Sequence, residues 1–327
     1  MRISIPLLHE QIAGILRKNM SAEGADKVAD YFVWAEASGN KTQGIVKMTG
    51  PEPIQNVVPK YDLKIERDTK LSQLIDAGAQ AAPLTTGIGS EVAIKKAKEH
   101  GIGLVGIHNT FSSNGAQAYY ARLIAENDLI GVICSRSPAA MSGFGSIDPI
   151  FGTNPIGFGF PTNGEPLVFD TATSAMTFYG LVLAKTRGET IPEGIATDHN
   201  GNLTIDPAEA IEGAILPFDK GYKGAGFGMI VEILAGPLVK SAWVDNKTFK
   251  EEWGTFILAI DPNLLVDIKD FKDNMDDLIN KIKSSRTKAG ENIRLPGEQA
   301  SARYKDVVAS GEVEIDDIVA NQLGISL

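Results

Sequence analysis

GIGLVGIHNTFSSNGAQAYYARLIAENDLIGVIC, residues 101–134, decides the fold class. It opens on a short apolar run, Gly103–His108 (GLVGIH). A helical pattern follows over Ala116–Asn127, and a second apolar run, Leu129–Cys134, closes it. Two strand-length runs around one helical segment read as strand–helix–strand, the building unit of an α/β core. The opening glycines, Gly101, Gly103 and Gly106, also spell G-x-G-x-x-G. A dinucleotide fingerprint must follow a strand and open a helix, so that phosphates meet free N–H groups. Here a helical segment precedes the glycines and the strand runs through them. A helix C-cap followed by a buried strand is the expected outcome.

Outward from this unit, the N-terminal third is helical by periodicity. Residues 8–20 place Ile12, Ile15 and Leu16 on one face, and Ser21 is positioned to cap a second helix to about Ser38 through Val28, Phe32 and Ala35. Asp62–Lys70 alternates as a short strand, with Leu63 and Ile65 on one side. Ser90 is expected to cap a third helix ending near His100. Beyond the unit, glycine and proline dominate Ser135–Thr162 and Pro217–Gly228, and long loops in compact domains are usually functional. Met229–Val239 reads as an apolar helix and Thr255–Ile260 as a buried strand. Asp267–Ser285 is an amphipathic helix through Phe271, Met275, Leu278 and Ile282, and Val313–Leu323 a last short helix.

The bulk properties exclude several classes. The chain has 327 residues, 43% of them hydrophobic and 22% charged, and a formal net charge of −10. That is an ordinary globular composition. No Lys/Arg run could grip a phosphate backbone, which argues against nucleic acid as a partner. The single cysteine, Cys134, permits no intrachain disulfide and lies in an apolar run, as a small buried hydrophobe would. No apolar stretch approaches the roughly 18 residues of a membrane helix, and the N-terminus lacks a signal core, so the cytoplasm is expected. No His, Cys and carboxylate cluster shows metal-ligand spacing.

Two segments carry possible cofactor chemistry. Gly221–Gly228 (GYKGAGFG) leads into the helix expected near Met229. Free N–H groups and the positive dipole end there favour an anion, Lys223 adds a full charge, and close packing through small residues explains the glycines equally well. Val168–Ser174 ends an apolar run in Asp170 and three hydroxyls, which can bond ribose or phosphate oxygens or cap a helix.

Together these segments resemble one family. The matching stretches are SPAAMSGFGSIDPIFGTNPIGFGFPT (137–162), FDTATS (169–174), IPEGIATDHNGNLTIDP (191–207), KGYKGAGFGMIVEILAG (220–236), FILAIDP (256–262) and LPGE (295–298). On these the chain resembles the malate/L-lactate dehydrogenase family of the non-Rossmann type. That family includes ureidoglycolate, sulfolactate and diketogulonate oxidoreductases and cyclic imino-acid reductases. The resemblance implies an α/β fold with a mixed sheet and helices from both chain ends packed together. Residues 1–75 would form an N-terminal helical part packing with a C-terminal part, 265–327, around a central cofactor-binding domain, 76–264. It implies a homodimer with sites near the subunit interface, NADH or NADPH as cofactor, and a small carboxylate substrate. By position, Ser137, Asp170, Thr171, Ala172, Thr173, Ser174, Lys223, Gly224, Gly297 and Glu298 would line the cofactor. Asn154 would sit by cofactor and substrate.

The departures fall on the proton-transfer residues. Where the family carries Ser-His-Gly-x-x-Arg, this chain reads Thr42-Gln43-Gly44-Ile45-Val46-Lys47, and Gly180-Leu181 stands where Gly-Lys is usual. Where a second His precedes Tyr-Tyr-Ala, Ser113 stands ahead of Tyr119-Tyr120-Ala121. Gln cannot relay a proton near neutral pH, although it can donate a hydrogen bond. Lys47 can pair with a carboxylate as a point charge. Catalytic roles therefore fall to Gln43, Lys47 and Ser113. His108, at a strand end before the Ser112–Gly115 loop, is the best-placed substitute histidine, although a His at a strand end satisfied by backbone is the plainer reading, and Tyr120 and Asp148 are further candidates. Three readings follow. One is a 2-oxo/2-hydroxy-acid oxidoreductase with a rearranged proton donor. Another is an imine reductase, whose protonated substrate brings its own proton. The third is a cofactor- or ligand-binding relative with little turnover.

Overall fold

The computed structural model describes residues 1–49, 53–242, 253–288 and 290–327. Its framework is a seven-stranded mixed sheet. The strands involved are β2 (Lys64–Asp68), β3 (Ser72–Asp76), β4 (Ile102–Thr110), β5 (Ile130–Arg136), β8 (Ile156–Phe160), β9 (Leu167–Thr171) and β12 (Trp253–Ile260). Their order is β2-β3-β4-β12-β5-β8-β9, with only the β3–β4 pair parallel. The parallel pair is joined through α3 (Ala82–His100), and α4 (Gln117–Ala125) connects β4 to β5. The strand–helix–strand unit thus lies at the sheet's centre, although β12 inserts between its two strands.

The G-x-G-x-x-G run serves packing. Gly101 caps α3 in the left-handed conformation (φ 86°), which costs glycine nothing. A Cβ on Gly103 would lie 1.9 Å from the Ala93 carbonyl oxygen, and one on Gly106 2.8 Å from Val239 Cγ1. The glycines therefore let elements approach β4 from its two faces. On one face, α3 and α4 pack with α1 (Ile5–Leu16) and α2 (Ala22–Ser38) into the main core, which includes Leu8, Phe32, Tyr120, Ile107 and Ile257. On the other face, α7 (Tyr222–Ala235) presents Val231 and Ala235 to Cys134, Ile156 and Phe256.

The two chain ends meet. β1 (Arg2–Ser4) pairs antiparallel with β13 (Glu312–Glu314), and the Met1 ammonium bonds the Ile315 carbonyl at 2.8 Å. Helix α9 (Glu298–Ser310) packs on α2, and Tyr304 and Val307 join the main core. A second sheet, β10 (Ala196–Thr197), β11 (Ala214–Ile215), β6 (Met141–Ser142) and β7 (Pro149–Phe151), lies in that order. Beside it, α5 (Phe178–Arg187) and α6 (Pro207–Glu212) share a small core of Leu181, Ile191, Ala210 and Ile215.

Several element boundaries differ from expectation. The first helix runs over 5–16 rather than 8–20, because Pro6 suits a helical first turn and Pro begins helices readily. Ser90 lies inside α3 rather than at its start, where its buried hydroxyl bonds the Thr86 carbonyl at 2.8 Å. Helix α7 begins at Tyr222 rather than near Met229, so the glycines form its first two turns. Ser21 caps α2 as expected, accepting from the Gly24 N–H at 3.1 Å. The last segment is strand β13 followed by α10 (Asp317–Leu323) rather than one helix. Ile65 is exposed on the edge strand β2. The amphipathic helix α8 (Ile268–Lys283) forms but buries no residue fully, and α9 carried no periodic signal strong enough to be read.

Candidate active site

A cleft of about 320 Å³ opens where seven segments converge, Thr153 and Pro155 before β8 and Trp253 at the start of β12 among them. The turn after α2 contributes Asn40, Thr42, Gln43 and Lys47, and the loop before α4 contributes Ser113. Ser135 and Ser137 come from the end of β5, Asp170, Thr171 and Ala172 from the end of β9, and Phe178 and Tyr179 from the start of α5. Gln43, Lys47, Ser113 and Ser137, distant in sequence, thus share one site with the first three residues of DTATS.

Buried bonds set the shape of the 40–48 turn. Glu36 is almost wholly buried on α2, and its Oε1 accepts from the Ile45 N–H at 2.9 Å. Burial pushes its carboxyl above the usual range, against the lowering pull of Lys41 and of that N–H. The Tyr31 hydroxyl donates to the Gln43 carbonyl at 2.8 Å and accepts from the Ala116 N–H at 2.7 Å. Tyr31 itself is packed by Phe32, Tyr119 and Tyr120, stacking on the last at 5.9 Å between ring centres. Its hydroxyl is pushed well above its ordinary value by burial.

Lys47 is buried, with Nζ 3.5 Å from the centre of the Tyr179 ring. A cation over a ring face is attracted by its quadrupole, more so when shielded from water. The Ser113 hydroxyl accepts from the Gly115 N–H at 3.1 Å, which orders the loop locally. Asp170 Oδ2 accepts from the Ala118 N–H of α4 at 3.0 Å. The protein mass around Asp170 pushes its carboxyl up to about 6, against the N–H groups of Ala118 and Gln117 that lower it. The side chain still meets water, because it stands on the ridge between two clefts.

The second cleft, of about 410 Å³, shares Asn40 and Asp170 with the first. It adds Arg122, Glu165, Arg294, Gly297 and Ser301. Gly297 packs against β9, where a Cβ would meet the Val168 carbonyl at 2.5 Å. Glu298 lies outside both clefts and pairs with Lys283 at 2.6 Å.

Other expected residues support the site or stand apart. Asn154 is buried beneath the floor, donating to the Gly228 carbonyl and to Glu232 Oε2, both at 2.9 Å. Glu232 Oε1 in turn lies 3.2 Å from Arg136 Nε, inside the protein. The Thr173 hydroxyl bonds the Thr153 carbonyl at 3.1 Å and that of Ser174 the Met176 carbonyl at 2.7 Å, so both brace the backbone. Lys223 and Gly224 lie in the first turn of α7, outside both clefts. There Asp219 Oδ1 already accepts from the N–H groups of Gly221 and Gly224, at 2.9 and 3.0 Å. The anion at that helix end is therefore the protein's own carboxylate. His108 faces Glu66 across β2–β4 at 3.4 Å and does not line the cleft. Tyr120 is wholly buried with its hydroxyl on the Asn114 carbonyl, and Asp148 is exposed in a turn near Ser146.

Sequence reading did not single out Asn40, Thr153, Tyr179 and Trp253, all of which line the cleft, nor the clamp Glu36. Asn40 stands three residues before Gln43, and Glu36 is a lone carboxylate on the apolar side of α2. Those were the only available signals. Among the described residues no group of three or more His, Cys, Asp or Glu could hold a metal ion, and no helix is long and apolar enough to cross a membrane.

The comparisons with known proteins agree with this architecture. The family model for malate/L-lactate dehydrogenase matches residues 3–324. The malate/(S)-sulfolactate dehydrogenase of Methanothermus fervidus is 34% identical over 316 residues, covering 93% of this chain and 90% of that protein. A Δ1-pyrroline-2-carboxylate reductase of Ancylobacter novellus is 34% identical over 264 residues, covering 76% of this chain and 75% of that one. Among solved structures, sulfolactate dehydrogenase from Methanocaldococcus jannaschii superposes with a TM-score of 0.85 at 31% identity, covering 99% of this chain and 95% of that one. With fold and sequence in agreement along nearly the whole chain, the protein is an oxidoreductase belonging to the malate/L-lactate dehydrogenase family.

Proposed function

We propose that the chain is an NAD(P)H-dependent oxidoreductase that interconverts a small 2-oxo acid and its 2-hydroxy acid in the first cleft. The observation that carries this reading is the convergence of Lys47, Gln43, Ser137 and Asp170 on one cleft. A nicotinamide cofactor fits the residues present. The first cleft offers apolar walls and hydroxyls to a ring and its amide. Asp170 on the ridge can accept from a ribose hydroxyl, and Arg122 and Arg294 line the adjoining cleft where phosphates would be balanced. When bound, the reduced cofactor supplies the hydride. Lys47 holds the substrate carboxylate as a point charge, and Gln43 donates a hydrogen bond to the substrate oxygen.

A second reading, reduction of a cyclic imino acid, is favoured by a specific feature. Among the described residues lining the cleft there is no histidine. A protonated imine carries its proton into the site, so a Gln at position 43 suffices there. We read the active form as a homodimer. The outer face of α7 supports this, leaving Phe227, Ile230 and Ile233 half-exposed, with Leu238 just beyond.

The test is cofactor binding followed by turnover. Trp253 lines the first cleft and Trp34 the second, so NADH or NADPH should quench tryptophan fluorescence. Absence of binding by either rejects both enzymatic readings. Turnover of Δ1-pyrroline-2-carboxylate without turnover of 2-oxo acids selects the second. Binding with no turnover across both substrate classes leaves a ligand-binding relative.

A further inference from the structure

We infer that Tyr179 is a positioning residue for substrate binding, its ring face holding the Lys47 ammonium in place for a substrate carboxylate. The inference rests on the oxidoreductase reading above and adds the side chain that sets Lys47. Lys47 is almost wholly buried, and its Nζ lies 3.5 Å from the centre of the Tyr179 ring. Both residues line the first cleft, one from the turn after α2 and the other from the first turn of α5.

An ammonium taken out of water needs compensation. A ring face supplies part of it through its quadrupole, and does so without a formal negative charge. A carboxylate in the ring's place would also satisfy Lys47, but it would compete with the substrate carboxylate. The ammonium is a compact charge on a flexible four-carbon stem, so its place has to be set from outside. A ring covers one side of it, and Lys carries three N–H donors. The ring is itself held by its helix. Thr177 caps α5, its hydroxyl accepting from the Gly180 N–H at 3.1 Å, and Leu181 and Ala184 anchor the helix in the small core. Tyr179 lies half-buried between Thr177 and Leu181.

The experiment compares Tyr179→Phe, Tyr179→Leu, Lys47→Met and the Lys47→Met/Tyr179→Leu double variant with the unmodified protein, using whichever of NADH and NADPH binds. Tyr179→Leu is expected to raise KM for 2-oxobutyrate about 10-fold, with kcat and the cofactor Kd changed far less. Tyr179→Phe keeps the ring and should stay within about 2-fold of the unmodified protein. In the Lys47→Met background, Tyr179→Leu should change kcat/KM by less than about 2-fold, because its effect runs through Lys47. Equal losses in both backgrounds overturn the inference, as does a Tyr179→Phe loss as large as that of Tyr179→Leu. With 13C-labelled lysine, the ε-methylene signal missing from Lys47→Met should be shifted upfield by the ring current in the unmodified protein. This readout needs no substrate and decides the point even if Tyr179→Leu does not fold. An unshifted Lys47 signal in a protein that still turns over 2-oxobutyrate removes the inference alone. A shifted signal in a protein that turns over neither 2-oxobutyrate nor Δ1-pyrroline-2-carboxylate removes the oxidoreductase reading, and the role in substrate binding with it.

Discussion

The Tyr31 hydroxyl donates to the Gln43 carbonyl at 2.8 Å, and through this bond α2 holds the turn that carries Gln43 and Lys47. The same hydroxyl accepts from the Ala116 N–H at 2.7 Å, at the end of the loop that carries Ser113. One buried atom therefore sets the separation between the turn that carries Gln43 and Lys47 and the loop that carries Ser113. Tyr31→Phe leaves a buried carbonyl and a buried N–H without this partner. The expected cost is about 1–3 kcal/mol in denaturant unfolding, with a fall in kcat/KM larger than that of a distant variant of equal stability. Unchanged stability and activity would show that the bridge does not matter.

Gly115 answers to the same hydroxyl. Its φ is 82°, and a Cβ there would lie 1.7 Å from Tyr31 Oη. Gly311 has a similar φ of 73° with nothing within 4 Å. Gly311→Ala should cost about 1 kcal/mol from backbone strain alone. Gly115→Ala should cost clearly more and also lower activity, because Tyr31 must move. Equal losses in a side-by-side unfolding measurement would contradict this account.

Gln43→His should raise turnover of 2-oxo acids by roughly 10²-fold if the altered residue is what limits proton transfer. The gain should appear in kcat and bring a new inflection near the ordinary histidine range in the pH–rate profile. No gain would place the limiting step, or the proton donor, elsewhere in the cleft.

Asp170 gives a pH prediction with a definite sign. Its folded-state carboxyl is raised to about 6 from an ordinary 3.8. The folded state therefore holds this proton more tightly than the unfolded chain. The stability it contributes is complete below about 4 and is lost as pH rises through about 6. Relative to Asp170→Asn, the unmodified protein should lose stability across this window. Comparing the two chains cancels Glu36, whose raised carboxyl acts with the same sign. A difference that stays flat from pH 4 to 7 would show that Asp170 titrates normally.

The exposed face of α7 predicts an interface. Ile230→Lys combined with Ile233→Lys should convert a dimer into a monomer in sedimentation equilibrium while leaving the far-ultraviolet circular dichroism unchanged, because both side chains are half-exposed in a single chain. A mass that is the same for both proteins argues against this face as the interface.

The sequence by itself determined the α/β class, because strand-length apolar runs around Ala116–Asn127 need only local periodicity to be recognised. It also determined that G-x-G-x-x-G at 101–106 was a packing feature, since order along the chain is enough to separate a helix C-cap from a phosphate loop. The family resemblance pointed to Ser137 and Asp170–Ala172 as cofactor candidates and to Gln43, Lys47 and Ser113 as catalytic candidates, and the structure gathers all of these along one cleft. Tertiary structure alone decided the rest, because a side chain's neighbours come mostly from distant parts of the chain. It put Asp219 on the helix end where an anion and close packing were equally open, turned His108 toward Glu66, and buried Asn154 under the floor. It also joined Tyr31 to Gln43 and Ala116, a contact no periodicity encodes, since it depends on α2 packing against α4 around a shared aromatic core.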